Sequence, residues 1–272
     1  MSSCPKLASR EAKAMKTASG RSAARAFFLI FLVGLWEFVI KAADIPTYVI
    51  PAPSEVWNRL FLGFQQGFLW EYTRVTSVEI VLGYLLGVIL GFGIAVLVVQ
   101  YFAVDFFLYP IIISINAVPK IAISPLLIIW VGTGLESKVL IAALTAFFPL
   151  LVSVVTGLRL VDISQVRLMR AAGASKWQVF RMVALPNALP TIFGGLQVAI
   201  VLSVIGAVVG EFVGASSGIG YYILFANARL DTASMFAGFV LLALIGTLLS
   251  QLVVRTGRKV VFWREIDKMA GV

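Results

Sequence analysis

Residues 75–100 read VTSVEIVLGYLLGVILGFGIAVLVVQ, twenty-six residues with one charge, Glu79. About 20 consecutive apolar residues cross the hydrocarbon core of a bilayer as a helix, so this stretch predicts a spanning helix. A strand of a spanning barrel would instead alternate apolar and polar residues over roughly ten positions. Gly83, Gly87 and Gly91 recur at four-residue spacing, which places them on one helical face where a second backbone can approach closely. That is a packing signal and names no function.

Five more runs of the same character lie on either side. The expected spans are 26–40, 75–100, 106–131, 139–158, 191–213 and 235–254, and the third carries Pro110, Pro119 and Pro125. The whole chain agrees: of 272 residues, 60% are hydrophobic and 13% charged, with mean hydropathy +0.99. A soluble domain has about 45–50% apolar and about 25% charged residues. The expected fold class is therefore all-α: a polytopic membrane protein of six spans in one domain at 26–258, between a basic tail at 1–25 and a tail at 259–272. The first run is short and contains Glu37. A basic tail ahead of a short apolar run also describes a signal peptide, with Ala42–Ala43 as a cleavage site. The glutamate and the long polar tail weigh against that reading.

The net charge of +9 alone would suit nucleic acid, but the cations lie between apolar runs, and no nucleic-acid partner is expected. The chain has no histidine and one cysteine, Cys4. This excludes His-dependent metal sites and Ser-His-Asp triads, so neither a metal site nor a catalytic residue is expected. Cytoplasmic connections are enriched in Lys and Arg. With the N-terminus inside, six basic residues precede the first span, five lie between spans four and five (Arg159, Arg167, Arg170, Lys176, Arg181), and five lie in the C-terminal tail. The outer connections hold Lys41, Arg59, Arg74, Lys138 and Arg229. Both termini are thus expected in the cytoplasm, with the chain in a bacterial inner membrane. In the outer stretch after the first span, Ser54 reads as the N-cap of a short helix with Val56, Trp57 and Leu60.

The connection 159–190 carries the most information. Asp162 or Ser164 can cap a helix through Met169 to Ala172, and Gly173 breaks it. A second helical piece follows over 175–184, with Trp177, Phe180 and Val183 on one face, and Pro186 and Pro190 set the start of the fifth span. Two readings of this amphipathic, basic helix–Gly–helix element stand: a coupling element for a soluble partner, or an interfacial helix resting on lipid.

The same connection resembles the cytoplasmic signature of permease subunits of ATP-binding-cassette importers: Glu-Ala-Ala, three residues, Gly, nine residues, a branched apolar residue, any residue, Leu-Pro. Gly173, Val183, Leu185 and Pro186 match it, while Arg167, Leu168 and Met169 stand where the family has Glu-Ala-Ala. The resemblance runs from about Leu35 to Trp263 and is similar to the nitrate/sulfonate/taurine branch in IPAPSEV at 50–56, ISPLLIIWVGTG at 123–134, AFFP at 146–149 and GEFVGASSGIGY at 210–221. It implies a coupling helix at Arg167, Leu168, Met169, Arg170, Ala171, Ala172, Gly173 and Ala174 that docks on an ATPase. It also implies two cytoplasmic ATP-binding subunits, a second permease subunit (identical or homologous) and an external solute-binding protein. The chain contains no GxxxxGK[ST] phosphate loop, since Ser137 stands where Gly132–Lys138 would need glycine. ATP and magnesium therefore belong to the partner ATPases, and this chain is expected to hold no cofactor.

A charge inside a span costs about 2.5–3.5 kcal/mol on insertion scales. Lys120 has such a position, with Asn116 and Ser124 one turn away on the same helical face. As translocation-pathway residues these would attract an anionic solute; pairing with freed carbonyls and helix packing are the structural alternatives. Glu211, ahead of a Gly/Ser-rich loop, is a candidate to gate the outer mouth or contact the binding protein, with a cap on that loop as its alternative. Glu37 and Glu79 are expected to be structural or interfacial. The function implied is inward movement of a small anionic solute by alternating access, driven by a partner's ATP hydrolysis. A gradient-driven transporter or channel is the alternative; an enzyme or respiratory anchor would need intramembrane histidines, cysteines or carboxylate clusters.

Overall fold

The structure, a computed structural model, describes residues 27–263, so the tails at 1–25 and 264–272 lie outside the described residues. Helices follow one another along the chain, and no strand occurs among the described residues. They are α1 (27–42), α2 (Pro53–Gln65), α3 (Phe68–Gln100), α4 (Val104–Asn116) and α5 (Lys120–Val131), then α6 (Leu135–Arg159), α7 (Ile163–Ala171), α8 (Lys176–Gly214), α9 (Ile219–Ala228) and α10 (Thr232–Val260). Four of them, α3, α6, α8 and α10, are long and apolar enough to cross a membrane, and α4 with α5 makes a fifth if the bent pair is one span.

The long helices outrun the apolar stretches that predict them, and polar caps start two of them: Asp231 starts α10 and Ser175 starts α8, whereas α3 and α6 begin after the glycines Gly67 and Gly134. Asp231 begins α10 by accepting from the Ser234 N–H at 3.2 Å and the Ser234 hydroxyl at 2.9 Å. The third apolar run departs most from expectation. It is not one continuous helix: α4 ends at Asn116, Pro119 takes extended backbone, and α5 leaves at 99°. Pro119 offers no N–H to continue the ladder, clashes with the carbonyl four residues back, and drives Val118 out of the helical region.

The core lies where α6 packs between α3 and α8. Ala95 and Val98 of α3, Leu150, Leu151, Val154 and Val155 of α6, and Ala188, Ile192 and Ala199 of α8 form one buried cluster. The glycine face of α3 lies against α6. A Cβ at Gly83 would run into the Ala142 methyl, one at Gly87 would sit 2.8 Å from the Ala143 carbonyl, and one at Gly91 would sit 3.0 Å from that of Phe147. The three glycines thus allow backbone to meet backbone.

Helix α1 is exposed on most sides and is tied down by Glu37. This carboxylate accepts from the Ser54 N–H at 3.0 Å and the Ser54 hydroxyl at 2.8 Å, and pairs with Lys41 at 2.5 Å. Ser54 is therefore not the N-cap of α2. Ala52 occupies that position with Pro53 as the first helical residue, and Glu37 caps the helix from another element.

Candidate functional site

The connection between α6 and α8 is built as a compact hairpin. Asp162 caps α7, accepting from the Ser164 N–H at 2.8 Å. At the other end Gly173 takes φ +81°, a left-handed conformation that costs a β-carbon-bearing residue strain. The Gly173 N–H donates to the Arg170 carbonyl and the Ala174 N–H to that of Met169, both at 3.0 Å. This paired closure is the Schellman arrangement. Ser175 and Gln178 then exchange side-chain and backbone bonds at 2.7 and 3.2 Å in a capping box that starts α8.

From Lys176 the helix runs unbroken to Gly214. The second helical piece and the fifth span are one helix, a correction to the expectation that the fifth span starts at Pro186 and Pro190. A π turn at Phe180–Ala184 precedes Pro186, with the Leu185 N–H reaching back five residues to the Phe180 carbonyl. Widening the helix there makes room for Pro186 without a break, while Pro190 sits inside the regular helix that follows. Asn187 fixes the hairpin angle by donating to Gln165 on α7 at 3.0 Å and to the Val183 carbonyl at 2.9 Å. No spacing rule in the sequence singled out that pair.

The predicted coupling residues are brought together here. Arg167, Leu168, Arg170, Ala171, Ala172 and Gly173 are exposed, whereas Met169, Ala174, Val183, Leu185 and Pro186 are half-buried toward the bundle. Leu168 is 73% exposed and Trp177 62%. Trp177 stacks on Phe180 at 5.5 Å, and with Arg170, Lys176 and Tyr101 it edges an open groove of 460 Å³. Asp105 meets Arg159 at 2.5 Å, which places the 101–105 turn at this same end of the bundle. The result is a projecting surface of apolar side chains ringed by cations.

The opposite end holds a buried polar cluster. Glu211 on α8 is 1% exposed. It accepts from the Thr76 hydroxyl at 2.5 Å, from the Tyr221 N–H at 3.3 Å and from the Gly220 N–H. Thr76 in turn accepts from the Ile219 N–H at 2.8 Å. Three orphan donors at the start of α9 are thereby satisfied from α3 and α8. Lys138 is counted above among outer connections, yet it lies buried inside α6, because that helix begins four residues before the apolar run. Its ammonium donates to the Gly214 carbonyl at 3.0 Å and to that of Thr133, closing the chain turns at this end. Glu79 is buried beside this group, with Oε2 unpartnered among the described residues. Sequence reasoning missed the association; charges within apolar runs at 79 and 211, and at the margin of one at 138, were its one signal.

Asn116, Lys120 and Ser124 do not share a face of one helix, since the bend separates Asn116 from the other two. Lys120 nevertheless reaches across it, donating to Asn116 Oδ1 at 2.5 Å and to the Asn116 carbonyl at 2.9 Å, with its ammonium 4.9 Å from the Phe148 ring centroid. Ser124 is fully buried and donates to the Lys120 carbonyl at 3.2 Å.

Comparison with known proteins places this geometry. The family described as "Binding-protein-dependent transport system inner membrane component" matches residues 83–261. A probable ABC transporter permease protein of Haemophilus influenzae is 37% identical over 79% of this chain and 86% of its own length. The riboflavin transport system permease protein of Chloroflexus aurantiacus is 33% identical over 86% and 88%. A putative aliphatic sulfonates transport permease protein of Bacillus subtilis is 31% identical over 86% and 84%. A methionine ABC transporter solved in an inward-facing conformation superposes with TM-score 0.63 and 22% identity, covering 72% of this chain and 97% of that one; at that identity the likeness shows the fold alone.

Proposed function

Because the chain belongs to the binding-protein-dependent transport system inner membrane component family, we propose that its α7–Gly173–α8 hairpin is the surface on which a cytoplasmic ATP-binding subunit docks. The chain is an ABC importer permease subunit of the sulfonate-related branch, a multi-pass protein of the inner membrane. It is not an ATPase, and a partner hydrolyses the ATP. Membership sets aside the gradient-driven alternative.

The finer reading runs as follows. Helix α1 is the first of six spans, the bent α4–α5 pair is the third, and both termini and the hairpin face the cytoplasm. Two permease subunits, two ATP-binding subunits and an external binding protein assemble. ATP draws the ATPases together, the hairpins transmit that motion, and a central pathway alternates between outward and inward openings. The solute is a small anion, attracted by Lys120; the sulfonate-transporting relative supports that class, while the riboflavin relative widens it to ring compounds.

The observation that carries the docking reading is the hairpin's exposed surface: Leu168 at 73% and Trp177 at 62% exposure stand among Arg167, Arg170 and Lys176. Exposed apolar patches with a polar rim mark protein or membrane contacts, and family membership favours the protein. The test is purification of the tagged chain from its native membrane in mild detergent, with intact masses of all retained subunits. A stoichiometric ATP-binding subunit that is lost in Leu168→Glu is the expected result. Full retention in that variant, or no such subunit with the unaltered chain, would refute the assignment.

A further inference from the structure

At the end of the bundle away from the hairpin, α2, the start of α3, α9 and the start of α10 enclose a cavity of 350 Å³. Its size falls within the roughly 300–1,000 Å³ typical of small-molecule sites. We propose that this cavity is a binding site for a planar aromatic anion, a flat ring system bearing a carboxylate, sulfonate or phosphate.

The walls are ring faces and edges. Tyr221 stacks near-parallel on Phe225 at 6.0 Å, Tyr72 stands edge-on to Tyr221 at 6.1 Å, and Phe68 packs against Tyr222 at 5.7 Å. Such a lining rewards a flat ring through offset and edge-to-face contacts beyond simple burial. An aliphatic solute of equal volume gains only the burial. The hydroxyls of Tyr72 and Tyr221 have no hydrogen-bond partner among the described residues, leaving two donors for ring heteroatoms or the anionic group.

The mouth supplies the charge. Arg59 and Arg229 both line the cavity, with Asp231 beside them. Asp231 is committed: it caps α10 through Ser234 and pairs with Arg59 at 3.1 Å. Glu55, which lines the adjoining polar cavity, accepts from the Ala52 N–H at 3.3 Å. Arg229 has no carboxylate partner among the described residues. Its guanidinium lies 4.0 Å from the Phe225 ring centroid. A guanidinium lying over an aromatic wall is preorganised to hold a ring by its face and an anion by its edge. The mouth therefore carries one uncompensated positive charge beside an aromatic slot, and one ligand satisfies both when its anionic group is attached to its ring.

The site is separate from the docking hairpin, and its test reads binding to this chain without ATP. Failure here would leave the ATPase-docking reading untouched. The probe is 2-naphthalenesulfonate, titrated calorimetrically into the full chain, with any co-purifying subunits, in phosphatidylcholine nanodiscs. The comparison probes are 2-naphthol, which keeps the ring without the charge, and cyclohexanesulfonate, which keeps the charge without the aromatic ring. Saturable binding is expected, weakened by about tenfold or more in Arg229→Gln and for either comparison probe. Tyr221→Leu should weaken the naphthalene probe while leaving cyclohexanesulfonate unchanged. Arg229 is exposed, so the Arg229→Gln variant should melt with the unaltered protein, and melting curves check this. Absence of saturable binding, equal affinity in a correctly folded Arg229→Gln protein, or equal affinity for 2-naphthol would overturn the proposal.

Discussion

Gly87→Ala tests the backbone contact at the centre of the bundle, because two established effects predict opposite signs. In a free helix, replacing glycine by alanine stabilises by about 1 kcal/mol. Here the new methyl would sit 2.8 Å from the Ala143 carbonyl oxygen, 3.1 Å from the Ala146 methyl and 3.3 Å from the Phe147 nitrogen. Ordinary contact begins near 3.5 Å, so α3 and α6 would have to part by about 0.7 Å, and a gap of that order forfeits a quarter to a half of each neighbouring dispersion contact. Overpacking of this kind costs about 1–3 kcal/mol, which at least offsets the propensity gain and leaves a net loss of up to about 2 kcal/mol. For a chain of this length that corresponds to a fall in Tm of up to about 8 °C. Gly93→Ala, on the same helix with nothing within 4 Å of its added methyl, is the control and should melt no lower than the unaltered protein. Tryptophan fluorescence in detergent follows both. If Gly87→Ala melts at or above Gly93→Ala, close approach at the glycine face does not limit the packing of α3 on α6.

Thr76→Val removes a donor to Glu211 and the acceptor of the Ile219 N–H. It should lower stability by about 2 kcal/mol or more, and Thr76→Ser should recover most of the lost melting temperature. The Cβ of Gly173→Val meets nothing within 4 Å, but the residue must hold φ +81°. A penalty of about 1–2 kcal/mol confined to the hairpin should speed proteolytic cutting there and reduce transport-coupled ATP hydrolysis, while bundle melting is unchanged. Lys120→Met should reduce uptake of an anionic solute by about tenfold; unchanged uptake at normal expression would remove Lys120 from the pathway.

What the sequence made legible follows from the physics each residue obeys locally. The glycine spacing of α3, the Asp162 cap and the Gly173 break depend on neighbours within a turn or two, and all three are found where the spacing puts them. The bend after Asn116 had its cause in plain view at Pro119, but a hydropathy window averages over the proline and reports one span. Ser54 was misassigned as a cap because its partner, Glu37, comes from seventeen residues away. The Thr76–Glu211–Ile219 association joins positions more than a hundred residues apart, and no local pattern encodes that distance. Lys138 illustrates the same limit: a lysine at the margin of an apolar run reads as a loop residue until the carbonyls of Thr133 and Gly214 are seen around it.

Helix α8 has a mechanical consequence. Its 39 residues make a rod about 58 Å long at 1.5 Å per residue, with Trp177 near one tip and Gly214, bonded by Lys138, at the other. A tilt of about 5° about one tip displaces the other by about 5 Å. A lever of this length needs no local unfolding to turn a small push at the hairpin into a side-chain-sized displacement across the bilayer. The π turn at Phe180–Ala184, near the Trp177 tip, is where the rod departs from regular α-helical bonding.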